Sequence, residues 1–129
     1  LAWRAGVCLV RSLDAGATIS YGRTYTLTRN SRVATVSAGY ADGYHRHLSG
    51  AGADVLIRGK RCPVLGRITM DQVVVDVTDA GEVKEGDVVT LLGRDGDEEV
   101  TAVELAEKSG TIPWEIFTSI GQRVERHLV

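Results

Sequence analysis

The 129-residue chain is short of several things at once. It has two prolines, two cysteines, one methionine and one phenylalanine, and only 5% of it is aromatic. No apolar run approaches the ~20 residues a membrane-spanning helix needs, and no secretory signal opens it, so the expectation is a soluble cytoplasmic domain. Basic charge is not in excess either. Fifteen Lys and Arg stand against seventeen Asp and Glu, a net charge of -2, which gives a nucleic-acid surface no support. Cys8 and Cys62 match neither a zinc spacing nor a redox pair. Both sit in apolar, strand-like surroundings and read as buried free thiols suited to a reducing cytoplasm. The chain opens at Leu1 without an initiator methionine and reads as a fragment of a longer protein.

What is present points to one globular domain: 43% apolar and 25% charged residues. Short runs rich in Val, Ile, Leu and Thr recur between glycines: "GVCLVRSL", "RTYTLT", "RVATVSAG", "ADVLIRG", "RCPVLG", "QVVVDVT" and "DVVTLLG". In "QVVVDVT", Val73, Val75 and Val77 share one face, and Gln72, Val74 and Asp76 the other, the alternation of a half-buried antiparallel strand. Gly59-Lys60 reads as a two-residue hairpin loop, and Arg94 to Asp97 as a second turn. The character changes at Thr101, which reads as the start of a capping box with Glu104 ahead of a stripe of Val103, Leu105 and Ala106 ending at Gly110. Pro113 opens a second short helix expected to stop at Gly121, and "QRVERHLV" returns to an extended pattern. The fold expected is mainly β: a small antiparallel barrel-like domain with two short helices near its C-terminus.

Three segments concentrate chemistry-bearing residues at strand ends: "ISYGRTY" (19–25), "AGYADGYHRHL" (38–48) and "GRITMDQVVVDV" (66–77). Tyr21 suits two roles, an aromatic closing a turn or a phenol carrying protons. A free phenol titrates near pH ~10, so the second role needs help from neighbours. His45, His47 and His127 offer metal-ligand chemistry, but the stretch is too glycine-rich for a strand, and solvated turn histidines are the preferred reading. Asp42-Gly43 reads as a plain turn, and Arg67 with Asp71 as an ion pair at a strand entrance.

Taken together, "TISYGRTY", "GYADGYHRHLSG", "GRITMDQ" and "TIPWEIFTSIGQRVER" resemble the C-terminal domain of the alanine racemase family, in the family's order and over nearly the whole chain. The resemblance implies that residues 1–129 are the C-terminal β domain of a pyridoxal 5'-phosphate enzyme that interconverts L- and D-alanine and supplies D-alanine for peptidoglycan. The cofactor would sit in an absent N-terminal (β/α)8 barrel, and the domain would complete the active site of a partner subunit in a homodimer. It implies Tyr21 as one of two catalytic bases, and Met70 as the residue whose backbone N–H holds the substrate carboxylate. Tyr40, Arg46, Arg67 and Asp71 would line the substrate entrance. Thr69 stands where some members carry cysteine, and Gln122 where some carry a tyrosine that bonds the cofactor phosphate. Lys60, Lys84 and Lys108 lie outside every family motif. A membrane-bound serine/alanine racemase and a non-catalytic β-barrel binding module are the alternatives.

Overall fold

The computed structural model describes residues 1–19 and 25–127. The expected barrel is there, and the strands are β1 (Trp3–Leu13), β2 (Thr18–Ile19), β3 (Tyr25–Thr26), β4 (Ser31–Val36), β5 (Asp54–Ile57), β6 (Lys60–Leu65), β7 (Val73–Asp76), β8 (Val88–Asp95) and β9 (Glu98–Val100). Helices α1 (Ala102–Ser109) and α2 (Pro113–Thr118) follow. The strands pair in the order β1-β4-β7-β6-β5-β8-β9, all antiparallel, and β1 also pairs with β8. That last pairing closes six strands into a ring and leaves β9 as an outrigger. β1 manages both roles by shifting register between Val7 and Leu9: its first half meets β8 and its second half meets β4.

The alternation read in β7 decides which side of the ring each residue faces. Val73, Val75 and Val77 are buried in the main core with Ala34, Val36, Val55, Ile57, Leu91 and Val100. Val74 faces the other way, against a smaller cluster of Ile19, Leu27, Val33 and Leu65. The β2–β3 ribbon therefore lies over the outside of β4, β7 and β6, with Ile19 opposite Tyr25 at the end of its pairing.

Several local expectations are corrected. The β5–β6 loop is Arg58-Gly59, one residue earlier than expected. Ile57 pairs with Lys60, and both loop residues take positive φ, 54° and 74°. The second turn centres on Gly96-Asp97, because Asp95 pairs with Glu98. Cys8 is exposed, its thiol donating to the Thr35 carbonyl at 3.3 Å, whereas Cys62 is buried as expected. Only half of the capping box forms. Thr101 accepts the Glu104 N–H at 3.1 Å, while the Glu104 carboxylate turns to Arg61 at 2.8 and 3.0 Å. Val103 is exposed; Leu105 and Ala106 carry the buried face alone. Helix α2 ends at Thr118 rather than Gly121, and residues 121–127 form turns and irregular chain, not a strand.

No helix among the described residues is long and apolar enough to cross a membrane.

Candidate functional site

Strand register places the candidate residues. Val36 at the end of β4 pairs with Val73 at the start of β7, and Leu65 at the end of β6 pairs with Val74. Loops 37–53 and 66–72 must therefore leave the ring from the same end. Within them, the Tyr40 N–H donates to the Thr69 carbonyl and the Ala41 N–H to the Met70 carbonyl, each at 3.0 Å. Such a fit needs a residue without a side chain beforehand. A Cβ on Gly39 would lie 2.3 Å from the Thr69 carbonyl oxygen and 2.5 Å from that of Met70. The turn carrying Met70 is closed by Thr69, whose hydroxyl donates to the Gln72 carbonyl at 3.0 Å and accepts the Gln72 N–H at 3.2 Å. Thr69 thus acts through its side chain as well as its backbone.

The tail after α2 packs on the other side of the 39–43 loop. Gly43 adopts φ 106°, and a Cβ there would meet the Ser119 carbonyl oxygen at 2.2 Å. The Gly121 N–H donates to the Asp42 carbonyl at 2.8 Å, and His45 Nε2 lies 2.9 Å from the Ser119 hydroxyl. Arg123 then spans both loops: Nε donates to Asp42 Oδ1 at 2.9 Å and Nη2 to Asp71 Oδ1 at 2.8 Å. The other Asp42 oxygen accepts the Gly39 N–H at 3.0 Å. Burial pushes the Asp42 carboxyl up, but the Arg123 and Gly39 hydrogen bonds and the Arg123 charge outweigh it, so its pKa falls below the usual range.

Of the expected site residues, the structure brings Tyr40, Met70 and Asp71 together. Tyr40 is 41% and Met70 52% exposed, so both reach the surface of this end of the barrel. Arg46 and Arg67 are exposed on the same two loops. Asp71 forms an ion pair with Arg123. Tyr21 lies outside the described residues, in the connection between Ile19 and Tyr25. Sequence reasoning missed Asp42 and Arg123 as partners. Asp42 looked like an ordinary turn residue, and the partners stand 81 positions apart. Tyr44, in the same motif as Tyr40, cannot serve as a base. It is 1% exposed, packs edge-on against Trp3, and burial, reinforced by Asp54 and Glu104, pushes its phenol pKa upwards.

A cleft of about 750 Å³ opens beside Arg123, lined by Trp3, Arg4, Ala38, Asp42 and Ile120 among others, but not by Tyr40 or Met70. Tyr40 and Met70 lie on the exposed loop surface outside this cleft. Among the described residues no cluster of His, Cys, Asp and Glu could hold a metal ion. The lysines do not fit a cradle for an aldehyde cofactor either. Lys60 starts β6 at the opposite end of the ring, Lys84 is in the loop before β8, and the Lys108 ammonium is taken by the Gly52 carbonyl and Glu104 at 2.9 and 3.2 Å. Gln122 is exposed.

Comparison with known proteins bears on the family and the fold. The sequence model of the family described as alanine racemase, C-terminal domain, matches residues 1–128. An alanine racemase of Symbiobacterium thermophilum is 54% identical over 126 residues, covering 98% of this chain and 33% of that protein. The crystal structure of a Bacillus anthracis alanine racemase with bound L-Ala-P superposes with a TM-score of 0.88 at 45% identity, over 95% of this chain and 31% of that one. A Bartonella henselae alanine racemase with covalently bound pyridoxal phosphate gives a TM-score of 0.89 at 36% identity, over 98% and 34%. The chain spans about a third of the length of these relatives. With matching sequence and superposing barrel, this chain belongs to the alanine racemase C-terminal domain family.

Proposed function

We propose that this chain is the C-terminal portion of an alanine racemase and works only with a barrel domain that lies beyond it. That barrel would carry pyridoxal 5'-phosphate and its Schiff-base lysine, in keeping with the lack of a fitting lysine at the loop face. The domain would serve the barrel of a partner subunit in a homodimer, and two unpaired cysteines favour the cytoplasm as its location. The single observation that carries the reading is the convergence of Tyr40 and Met70 on one exposed end of the barrel through the Gly39 contact, in a chain matched by the family along its length.

In this reading Tyr21 moves the α-proton on one face of the substrate, taking it from L-alanine and returning it when L-alanine is formed. A base from the barrel serves the other face. Cationic groups of the partner's barrel would lower the phenol's pKa towards neutrality. The Met70 N–H receives the substrate carboxylate, a donor whose direction is set by backbone and so survives any change of side chain other than to proline. Tyr40 narrows the approach, and Arg46, Arg67 and Asp71 line it.

Tyr21→Phe in the full-length holoenzyme tests this, since it keeps the ring and deletes only the oxygen that carries the proton. Racemisation should fall by roughly 10²–10⁴-fold in both directions, because each direction needs both bases. In heavy water the variant should still exchange the α-hydrogen of D-alanine while leaving L-alanine nearly untouched, followed by NMR of each enantiomer incubated separately. Equal exchange of both enantiomers would remove Tyr21 from the role.

A further inference from the structure

The Met70 peptide is held from three directions. Thr69 closes the turn beneath it, and the N–H groups of Tyr40 and Ala41 grip the Thr69 and Met70 carbonyls at 3.0 Å. On the third side its neighbour Asp71 is tied to Arg123 at 2.8 Å. The Met70 N–H shares a trans peptide with the Thr69 carbonyl that Tyr40 grips, so this donor points away from Tyr40.

The third hold differs from an ordinary surface ion pair. The Arg123 side chain is 52% and the Asp71 side chain 61% exposed, and two such groups alone would be screened and mobile. Arg123, however, is anchored at its Nε by Asp42, whose side chain is only 12% exposed and whose second oxygen is fixed by Gly39. The backbone leading to Arg123 is fixed too, through the Gly121–Asp42 hydrogen bond and through Arg126, whose guanidinium caps the Ile120 and Gly121 carbonyls at 2.8 and 3.1 Å. A guanidinium suits this task because its planar fork presents Nε to one carboxylate and Nη2 to another without a change of rotamer; a lysine ammonium has no such fork.

We propose that Arg123 is a positioning residue for substrate binding: by clamping Asp71 to the buried Asp42, it holds the Met70 peptide so that its N–H receives the substrate carboxylate. This rests on the reading of Met70 given above. The physical lever is alignment. Hydrogen bonds weaken steeply as the donor angle opens, and small misplacement of a binding group is costly. Releasing Asp71 frees the peptide next to the donor and leaves the residue assigned to proton transfer unsubstituted.

The experiment compares Arg123→Gln, Arg123→Lys and Met70→Pro in the full-length holoenzyme, with KM and kcat measured separately for L- and D-alanine. Arg123→Gln should raise KM for both enantiomers about 10-fold with kcat changed less than about 3-fold, since ground state and transition state lose the same contact. Arg123→Lys keeps the charge but not the fork and should fall between Arg123→Gln and the parent; it also carries the test if the glutamine variant does not fold. Met70→Pro removes the donor itself and should raise KM at least as much. A merely structural role for Arg123 would lower the thermal midpoint and leave KM alone. If Met70→Pro raises KM while both Arg123 variants keep the parent value, the positioning inference is overturned and the carboxylate reading stands. If Met70→Pro leaves KM unchanged, the carboxylate reading falls and the inference with it.

Discussion

Arg61 and Arg123 each gather carboxylates from distant parts of the chain, yet the segments they join differ in kind. Arg61, on β6, bonds Glu98 beside β8, Asp54 on the paired strand β5 and Glu104 on α1, at 2.8 to 3.3 Å. Backbone ladders already fix β5, β6, β8 and β9, so Arg61 fastens α1 to a frame whose geometry is otherwise complete. Arg123 joins two loops and a tail that meet through three backbone hydrogen bonds rather than a strand ladder, and its two ion pairs add a side-chain clamp across them. The same guanidinium chemistry adds stability in one place and geometry in the other.

The comparison breaks most sharply at Gly39. Alanine there should push the 39–43 and 69–71 loops apart and lower kcat/KM of the full-length enzyme by about 100-fold, the order expected when a binding group is displaced by about 1 Å. Alanine at Gly6, on the frame, meets only the Ser37 hydroxyl at 4.0 Å and should leave kinetics unchanged. Similar losses from both would show that the loops are no more sensitive than the strands.

Arg61→Gln should give the opposite signature to Arg123→Gln. Thermal unfolding of the chain should show a loss of about 1–2 kcal/mol, discounted for partial exposure, while KM in the full-length enzyme stays at the parent value. An altered KM would contradict the division between frame and loops.

Acid should weaken both hubs, by a smaller margin. Arg61 hydrogen bonds hold the Glu104 carboxyl below the usual range despite its burial, and Asp42 is also low. Carboxyls with depressed folded-state pKa values contribute stability that is present above their unfolded values, about 4, and lost as pH falls through the lower folded ones. The unfolding midpoint should therefore stay flat from pH 7 to about 5 and drop below about 4. Glu104→Gln should flatten the drop, and an unchanged profile in that variant would remove Glu104 from the account.

Much of the frame was legible because hydrophobic period reports burial directly, as in Val73, Val75 and Val77. Misreadings arose where a neighbour overrode the local pattern. Cys8 lies at the register shift of β1 and turns outwards. Arg58 takes a left-handed conformation that the sequence reading reserved for glycine. The acidic strand β9 carries no β signal of its own and exists because Gly93, Arg94 and Asp95 pair with it. At the loop face, the family resemblance singled out Tyr40 and Met70, and the structure sets them on adjoining exposed loops, but no local pattern can announce a bond between Asp42 and Arg123.

Closure of the ring by β1 and β8 also has a kinetic side. Trp3 must find Leu92, and Gly6 must find Val88, across some eighty residues of chain that cannot be bridged until most of the domain has formed. Even β1 and β4 pair across the intervening ribbon rather than through a tight hairpin. Topologies dominated by such distant pairings search slowly, in milliseconds to seconds for domains of this class. During synthesis, β1 has to wait, unpaired with β8, until some eighty further residues have been made. Through that interval its Trp3 and Val7, buried in the finished ring, remain open to wrong partners, so this first strand is where a chaperone would have most to protect.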